Sequence, residues 1–231
     1  MTFDGVEIKI EKKNIKNIHL VVYPPDGRVR CSVPFYLPEN ELITFLSSRI
    51  VWIKSKQKEI VEKHKKNTRE FISGETHYLF GKPFILEIIT SRETPKIEID
   101  TTTLKMTVSP SMQKAQRAGF LFNFYKPELH LRISSMIEKW LSTMKEDKAS
   151  VTWSIDTMRR QWGKCFPYKR NIVLNLMLAR VPLQCVEYVL VHELVHLKIH
   201  GHGKDFKAAM DYYLPDWRSR KKVLNSFPSL L

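Results

Sequence analysis

Hydrophobic and polar positions alternate along much of the first half of the chain, which is the period of half-buried β-strands. This alternation predicts strands at residues 6–10, 18–23, 29–33, 77–80, 84–89, 96–100 and 104–108. Between the two groups of strands, apolar residues at helical spacing predict one long helix, from Glu39 to about Lys66. No internal repeat is visible in the sequence.

The second half of the chain changes to a helical period. Residues 113–145 read as one long helix or two, because Pro127 can kink a helix or start a new one. Short strand patterns follow at 153–175, and further helices are predicted at 183–200, 203–213 and 215–224. The expected class is α+β, with a β-rich region over 1–110 and a helical region over 111–231. The boundary between them is soft, and a single domain also fits.

The amino-acid composition is that of a globular protein. The 231 residues are 43% hydrophobic and 27% charged, as in ordinary globular proteins. No apolar run approaches the roughly 20 residues that span a bilayer, and the N-terminus does not resemble a secretion signal. We therefore expect no membrane association, and three cysteines fit a cytoplasmic protein with reduced thiols.

The charge of the chain is unbalanced. Lys and Arg number 38 against 24 Asp and Glu, which gives a net charge of +14. An excess of this size favours a polyanionic partner such as nucleic acid or a nucleotide. A generically basic surface explains the same excess equally well.

The strongest chemical pattern is at residues 192–196, which read His-Glu-Leu-Val-His on a predicted helix. Two histidines four residues apart lie on the same helix face, so His192 and His196 can both reach one zinc ion. Glu193 lies beside them and can accept a proton from a zinc-bound water, whose pKa zinc lowers to about 7. The motif predicts a zinc site with Glu193 as the catalytic base.

A zinc ion in such a site needs a third protein ligand. His200 continues the stripe, but a straight helix would place it about 12 Å from His192 along the axis. Gly201 can end a helix in the left-handed conformation, after which the chain can turn back. We therefore expect His192, His196 and His202 as ligands, with water in the open fourth position.

Other segments complete a recognisable pattern. They are Trp-Gly-Lys-Cys at 162–165, Leu-Asn at 174–175, Tyr-Val at 188–189, Phe206, and Leu-Pro-Asp at 214–216. Together with residues 192–196 they resemble the YgjP-like family of metal-dependent hydrolases, relatives of the SprT-like zincins, over nearly the whole chain. The resemblance implies a zincin-like C-terminal half, zinc held by His192, His196 and His202, and Glu193 as the catalytic base.

The chain departs from the family pattern near the predicted site. Lys164 stands where the family usually has Ser, and Leu-Met at 176–177 replaces a common Trp-Arg. One cation is gained and another is lost, so substrate recognition is where this protein is expected to differ.

Cations near residues 162–165 are candidates for substrate binding. Arg159, Arg160 and Lys164 could stabilise developing negative charge or hold a phosphate. For Trp162 and Cys165 we expect a place in the core, which is where most residues of these types lie.

Three functions can use these residues. The first is a zinc-dependent hydrolase of the metallopeptidase type that acts on peptides or proteins, which the SprT-like kinship and basic charge extend to a DNA-associated protease. The second is a nucleoside triphosphate pyrophosphatase that uses the same site with Zn²⁺ or Mg²⁺. The third is a zinc-stabilised nucleic-acid-binding module, which Glu193 argues against because a structural site needs no base. Glu187 and Asp205 remain alternative third ligands if His202 does not reach.

Overall fold

The structure is a computed structural model that describes residues 1–24, 26–67 and 69–227, with side chains except at 63–67. The chain divides into two compact units, Met1–Arg69 and Glu70–Leu231. Sheets occupy the N-terminal half and helices the C-terminal half, which confirms the α+β prediction. Residue 110, the expected soft boundary, lies inside the second unit. Within the described ranges, no helix has the length and hydrophobicity needed to cross a bilayer.

The first unit is one sheet with one long helix. Its elements are β1 (Thr2–Phe3), β2 (Val6–Lys13), β3 (His19–Tyr23), β4 (Arg28–Pro34) and α1 (Glu39–Asn67). The sheet order is β1-β2-β4-β3, with β2 and β4 parallel and β3 and β4 antiparallel. Alternate residues of the strands pack with one face of α1 in a small core: Val6, Ile8, Val29, Cys31, Val33, Leu42, Leu46 and Ile53.

The second unit begins with a similar arrangement. Its first elements are β5 (Thr76–Leu79), β6 (Lys82–Thr90), β7 (Lys96–Ile99), β8 (Thr103–Val108) and α2 (Lys114–Thr143). Helix α2 buries a residue on every turn: Leu121, Tyr125, Leu129, Ile133, Ile137 and Leu141. It continues across Pro127, so of the two predicted possibilities the single helix is the one observed.

One topology therefore occurs twice. The second sheet has the order β5-β6-β8-β7 with β6 and β8 parallel, which matches the first sheet strand for strand, and each sheet is followed by a long helix. Each sheet also opens with a two-residue turn in which both residues have positive φ: Asp4 (47°) and Gly5 (77°), then Phe80 (48°) and Gly81 (81°). Such turns suit the twist of a β-hairpin.

The remainder of the second unit carries the predicted chemistry. Its elements are β9 (Thr152–Asp156), β10 (Gly163–Phe166), β11 (Asn171–Asn175), α3 (Leu183–Val195), α4 (Lys204–Tyr213) and α5 (Trp217–Ser226). The strands form a sheet in the order β10-β11-β9. Helix α3 is apolar on nearly all sides and lies in the core of the unit, as such a helix must.

Candidate active site

The first two histidines of the motif lie at the end of α3. The helix ends at Val195 and not at His200, so the predicted length of this helix is wrong. Its last turn tightens, because the N–H of Leu197 and of Lys198 bond carbonyls three residues back, at 3.1 and 3.2 Å. Gly201, with φ of 75°, then turns the chain. The early end of the helix is what lets His202 return to the motif.

The three predicted ligand residues come together. Nε2 of His202 lies 3.1 Å from Nε2 of His192 and 3.2 Å from Nε2 of His196. All three rings contact the buried ring of Phe206, with centroid distances of 4.6 to 4.8 Å. Phe206 therefore forms a common floor beneath the three imidazoles.

The donor set of this cluster fits a metal ion. His196 donates its Nδ1–H to the carbonyl oxygen of Ile199 at 2.9 Å, so its Nε2 carries a lone pair. Nδ1 of His192 is buried and has no hydrogen-bond partner among the described residues. The other ring nitrogen, Nε2, faces Nε2 of His202. A tetrahedral ion at about 2.05 Å from each nitrogen would require N–N separations of about 3.3 Å, close to those observed.

Electrostatics keep the two helix histidines neutral. Burial, aided by His196, His202 and Lys221, lowers the pKa of His192 to about 3. Burial also lowers the pKa of His196. Neutral imidazoles offer the lone pairs that metal ions bind, so these three histidines can hold one ion.

Glu193 is a buried carboxyl beside this cluster, with only 7% of its surface exposed. Burial raises its pKa to about 7, and a hydrogen bond from the backbone amide of Cys165 opposes the shift. A group of this pKa can both accept and release a proton near neutrality.

Glu193 fits its place because Gly163 has no side chain. A Cβ at Gly163 would lie 2.7 Å from both Cγ and Oε1 of Glu193. Gly163 belongs to the Trp-Gly-Lys-Cys segment at 162–165, where its sequence context alone predicts no role. A glycine within a strand, where it weakens packing, is the pattern that could have marked this close approach.

Glu193 and His192 open onto a cleft of about 230 Å³. Its lining residues are Gln161, Trp162, Gly163, Tyr188, Val189, His192, Glu193, Lys221, Leu224 and Asn225. Burial raises the pKa of Tyr188 to about 12, so its hydroxyl stays protonated beside Glu193.

Strand β10 presents a backbone edge to this cleft. In the described part of the chain it pairs with β11 alone. Asn175 N–H donates to Trp162 O at 2.9 Å, so the backbone of Trp162 faces β11. In an antiparallel pair, the N–H and C=O groups of successive residues point alternately toward and away from the neighbouring strand. The backbone groups of Gly163 and Cys165 therefore point away from β11. The Cys165 amide bonds Glu193 from this edge.

The three cations predicted to bind substrate are not among the residues that line the cleft. Arg159, Arg160 and Lys164 are all exposed. Side chains alternate along β10, and Lys164 Nζ lies 4.4 Å from the centroid of the Phe166 ring, two residues along. Contact of these three residues with substrate stays a prediction.

The alternative ligands lie elsewhere. Glu187 accepts hydrogen bonds from Trp140 Nε1 at 3.0 Å and from Arg220 at 2.6 Å. His200 is exposed and stacks with Tyr168, and Asp205 is not part of the histidine cluster.

The thiol beside Glu193 is inert. Burial and the nearby Glu193 raise the pKa of Cys165 to about 11, which leaves almost no thiolate at neutral pH. This shift argues against a role for Cys165 as a nucleophile.

Asn175 holds the loop that leads into β10. Fully buried, it donates from Nδ2 to the carbonyls of Met158 (2.6 Å) and Gln161 (2.7 Å) and accepts from Met177 N–H (3.0 Å). The sequence analysis used Asn175 only for the family resemblance. A lone amide within the apolar run 172–179 was the pattern that could have revealed it.

Comparison with known proteins agrees with this geometry. A family model described as the YgjP-like metallopeptidase domain matches residues 16–227, which include elements of both units. A search of curated proteins found no match. Metallopeptidase domains act on peptides or proteins with a divalent metal, which is the chemistry that the three histidines can support.

Proposed function

Because the chain belongs to the YgjP-like metallopeptidase family, we propose that it hydrolyses peptide bonds with a zinc ion bound by His192, His196 and His202. The observation that carries this proposal is the separation of 3.1 to 3.2 Å between His202 Nε2 and the other two Nε2 atoms, next to a buried carboxyl. Nitrogen ligands in this number are typical of catalytic zinc.

The residues around the site divide the chemical work. Zinc, when bound, polarises the scissile carbonyl and makes water more acidic. Glu193 accepts a proton from the attacking water at its carboxylate and then donates it to the nitrogen of the leaving amine. The raised pKa of Glu193 suits both transfers. Tyr188, protonated and on the cleft wall, can donate a hydrogen bond to the oxygen that gains charge.

The free edge of β10 supports a peptide as the substrate. An extended peptide can add to such an edge through backbone hydrogen bonds, whatever its side chains. The Cys165 amide already donates to Glu193, so the backbone groups of Gly163 and the carbonyl of Cys165 would hold the peptide beside that carboxyl.

The other functions considered from the sequence lack such support. A triphosphate carries several negative charges, whereas Lys221 is the only Lys or Arg among the described lining residues. Nucleotide hydrolysis therefore stays an outcome of the test below. Protein cleavage near DNA is supported by the net charge of +14 alone. A cytoplasmic location is also part of the proposal, supported by the three free thiols.

The experiment combines metal analysis with hydrolysis. We expect about one zinc per chain in the wild type, much less in His202→Ala, and unchanged metal in the control His200→Ala. Glu193→Gln should keep its zinc and lose cleavage of a mixed fluorogenic peptide library. Full peptide cleavage by Glu193→Gln, or pyrophosphate release from nucleoside triphosphates in place of peptide cleavage, would overturn the proposal.

A further inference from the structure

One cation lies on the wall of the cleft. Lys221, on helix α5, lines the cleft together with Leu224 and Asn225, which follow it on the same helix face. His192 and Glu193 line the same cleft. Lys221 therefore places a positive charge on the wall of the cleft that a substrate would enter to reach them.

This cation differs from the two arginines of α5. Arg218 pairs with Asp211, and Arg220 pairs with Asp216 and Glu187. Among the described residues, no carboxylate lies within 4.0 Å of Lys221 Nζ; its recorded neighbour is the Trp217 ring, 6.0 Å away. Two of the four cations of α5 are thus paired within the protein. Lys221 and Lys222 have no such partner among the described residues, and of these two only Lys221 lines the cleft.

The other polar groups of the cleft are almost all neutral. They include the amides of Gln161 and Asn225 and the indole of Trp162, and the one carboxyl among the described lining residues is Glu193. Besides the proposed zinc ion, Lys221 is the one positive charge that the described lining residues offer to a substrate group. A single carboxylate matches this one protein cation.

We propose that Lys221 binds a carboxylate of the peptide substrate, so that the protein favours peptides with an acidic group near the scissile bond. The carboxylate can come from an Asp or Glu side chain or from the C-terminus of a short peptide. This inference rests on the proposed peptidase function, and it makes Lys221 a residue that determines specificity.

Binding tests the inference without relying on cleavage. The zinc-loaded Glu193→Gln protein is titrated with three otherwise identical amidated peptides that contain Glu, Gln or Lys at one position, and with the Gln peptide bearing a free C-terminus. Intrinsic tryptophan fluorescence, to which Trp162 in the cleft contributes, and calorimetry report the affinity. We expect the Glu peptide, the free-C-terminus peptide, or both to bind about fivefold more tightly than the amidated Gln peptide. Which of them does so identifies the source of the carboxylate.

Charge reversal supplies the decisive comparison. Lys221→Glu should abolish the acidic preference and favour the Lys peptide, whereas Lys222→Glu, an equal change of net charge on an exposed neighbour outside the cleft, should leave the preference intact. Equal effects of the two reversals, equal binding of Glu and Gln peptides, or tighter binding of inorganic triphosphate than of any peptide would overturn the inference. Acidic preference without cleavage by the Glu193-intact protein would remove the proposed function alone. Cleavage without preference would remove the inference alone.

Discussion

A methyl group on Gly163 would lie 2.7 Å from Oε1 of Glu193, closer than real side-chain carbons approach such an atom. The Glu193 carboxyl lies between strand β10 and its own helix, in space that a side chain at residue 163 would occupy. The position of the proposed catalytic base therefore depends on the absence of a Cβ at Gly163.

Gly163→Ala should displace the Glu193 carboxyl and reduce kcat about a hundredfold. Metal content should be unchanged, and overpacking should cost about 1 to 3 kcal/mol of unfolding free energy. Gly119→Ala is the matched control, because a Cβ there meets no atom within 4 Å and helix α2 favours alanine. Peptide assays, metal analysis and urea unfolding measure the three effects. Normal kcat in Gly163→Ala would show that the position of the carboxyl is not critical.

Removing the charge of Glu193 should stabilise the metal-free protein at high pH. Its pKa rises from 4.5 in the unfolded chain to about 7 in the folded one, so folding favours the protonated form. Stability therefore falls as pH rises from about 4.5 to 7, and the full penalty, on the order of 3 kcal/mol, is present above 7.

Unfolding of the metal-free wild type and Glu193→Gln at pH 4 and pH 8 measures this penalty. The variant should be the more stable at pH 8 and nearly equal to the wild type at pH 4. If the two proteins differed in unfolding free energy by the same amount at both pH values, the Glu193 carboxyl would not be desolvated.

Asn175→Ala should destabilise the second unit by about 2 to 3 kcal/mol, because the buried carbonyls of Met158 and Gln161 would lose their donor. The loop before β10 would also loosen, so KM for peptides should rise. Asn171→Ala on the same strand is the control, since its amide bonds Thr152 at an exposed position and should be worth less than 1 kcal/mol. Equal losses in the two variants would contradict the assigned role.

Glu146 anchors the turn that follows α3. Its buried carboxylate binds Lys198 Nζ at 2.6 Å and also Arg170, and these partners outweigh burial, so the pKa of Glu146 is lowered. Its stabilising contribution is therefore present above the unfolded pKa of about 4.5 and is lost as pH falls through the lower folded value.

Glu146→Gln should cost about 2 kcal/mol at pH 7 and much less at pH 3, as measured by urea unfolding. Zinc affinity should also fall, because Lys198 lies between His196 and His202. Glu138→Gln, an exposed carboxylate on α2, is the control and should change neither quantity. A loss in Glu146→Gln that persists at pH 3 would rule out the charged contact as its cause.

The sequence was sufficient to predict the elements and the histidines that meet, because both follow from local periodicity. Helix spacing places His192 and His196 on one face, and Gly201 marks the turn. The end of α3 was misplaced by several residues, since the closing bond from His196 Nδ1 to Ile199 O belongs to the folded turn and not to helix propensity.

Long-range placement is what the sequence could not supply. Lys164 is a predicted substrate-binding residue because it lies beside Gly163 in the sequence. Successive residues of a strand face opposite sides of the sheet, so the Lys164 side chain lies on the face opposite to that of Gly163. Lys221 enters the cleft from a helix that begins more than 50 residues later, and no local pattern links it to β10.

The hairpin turns that open the two sheets tolerate a side chain unequally. In the second sheet, Phe80 N–H donates to Ala179 O at 2.7 Å, and a Cβ on Gly81 would lie 2.7 Å from Pro182 at the start of α3. In the first sheet, the corresponding Gly5 has open space around it. Because both glycines have positive φ, a side chain is strained in either turn. The second turn adds a steric clash to that strain, so the same topology leaves one hairpin fixed by its surroundings and the other constrained by its backbone alone.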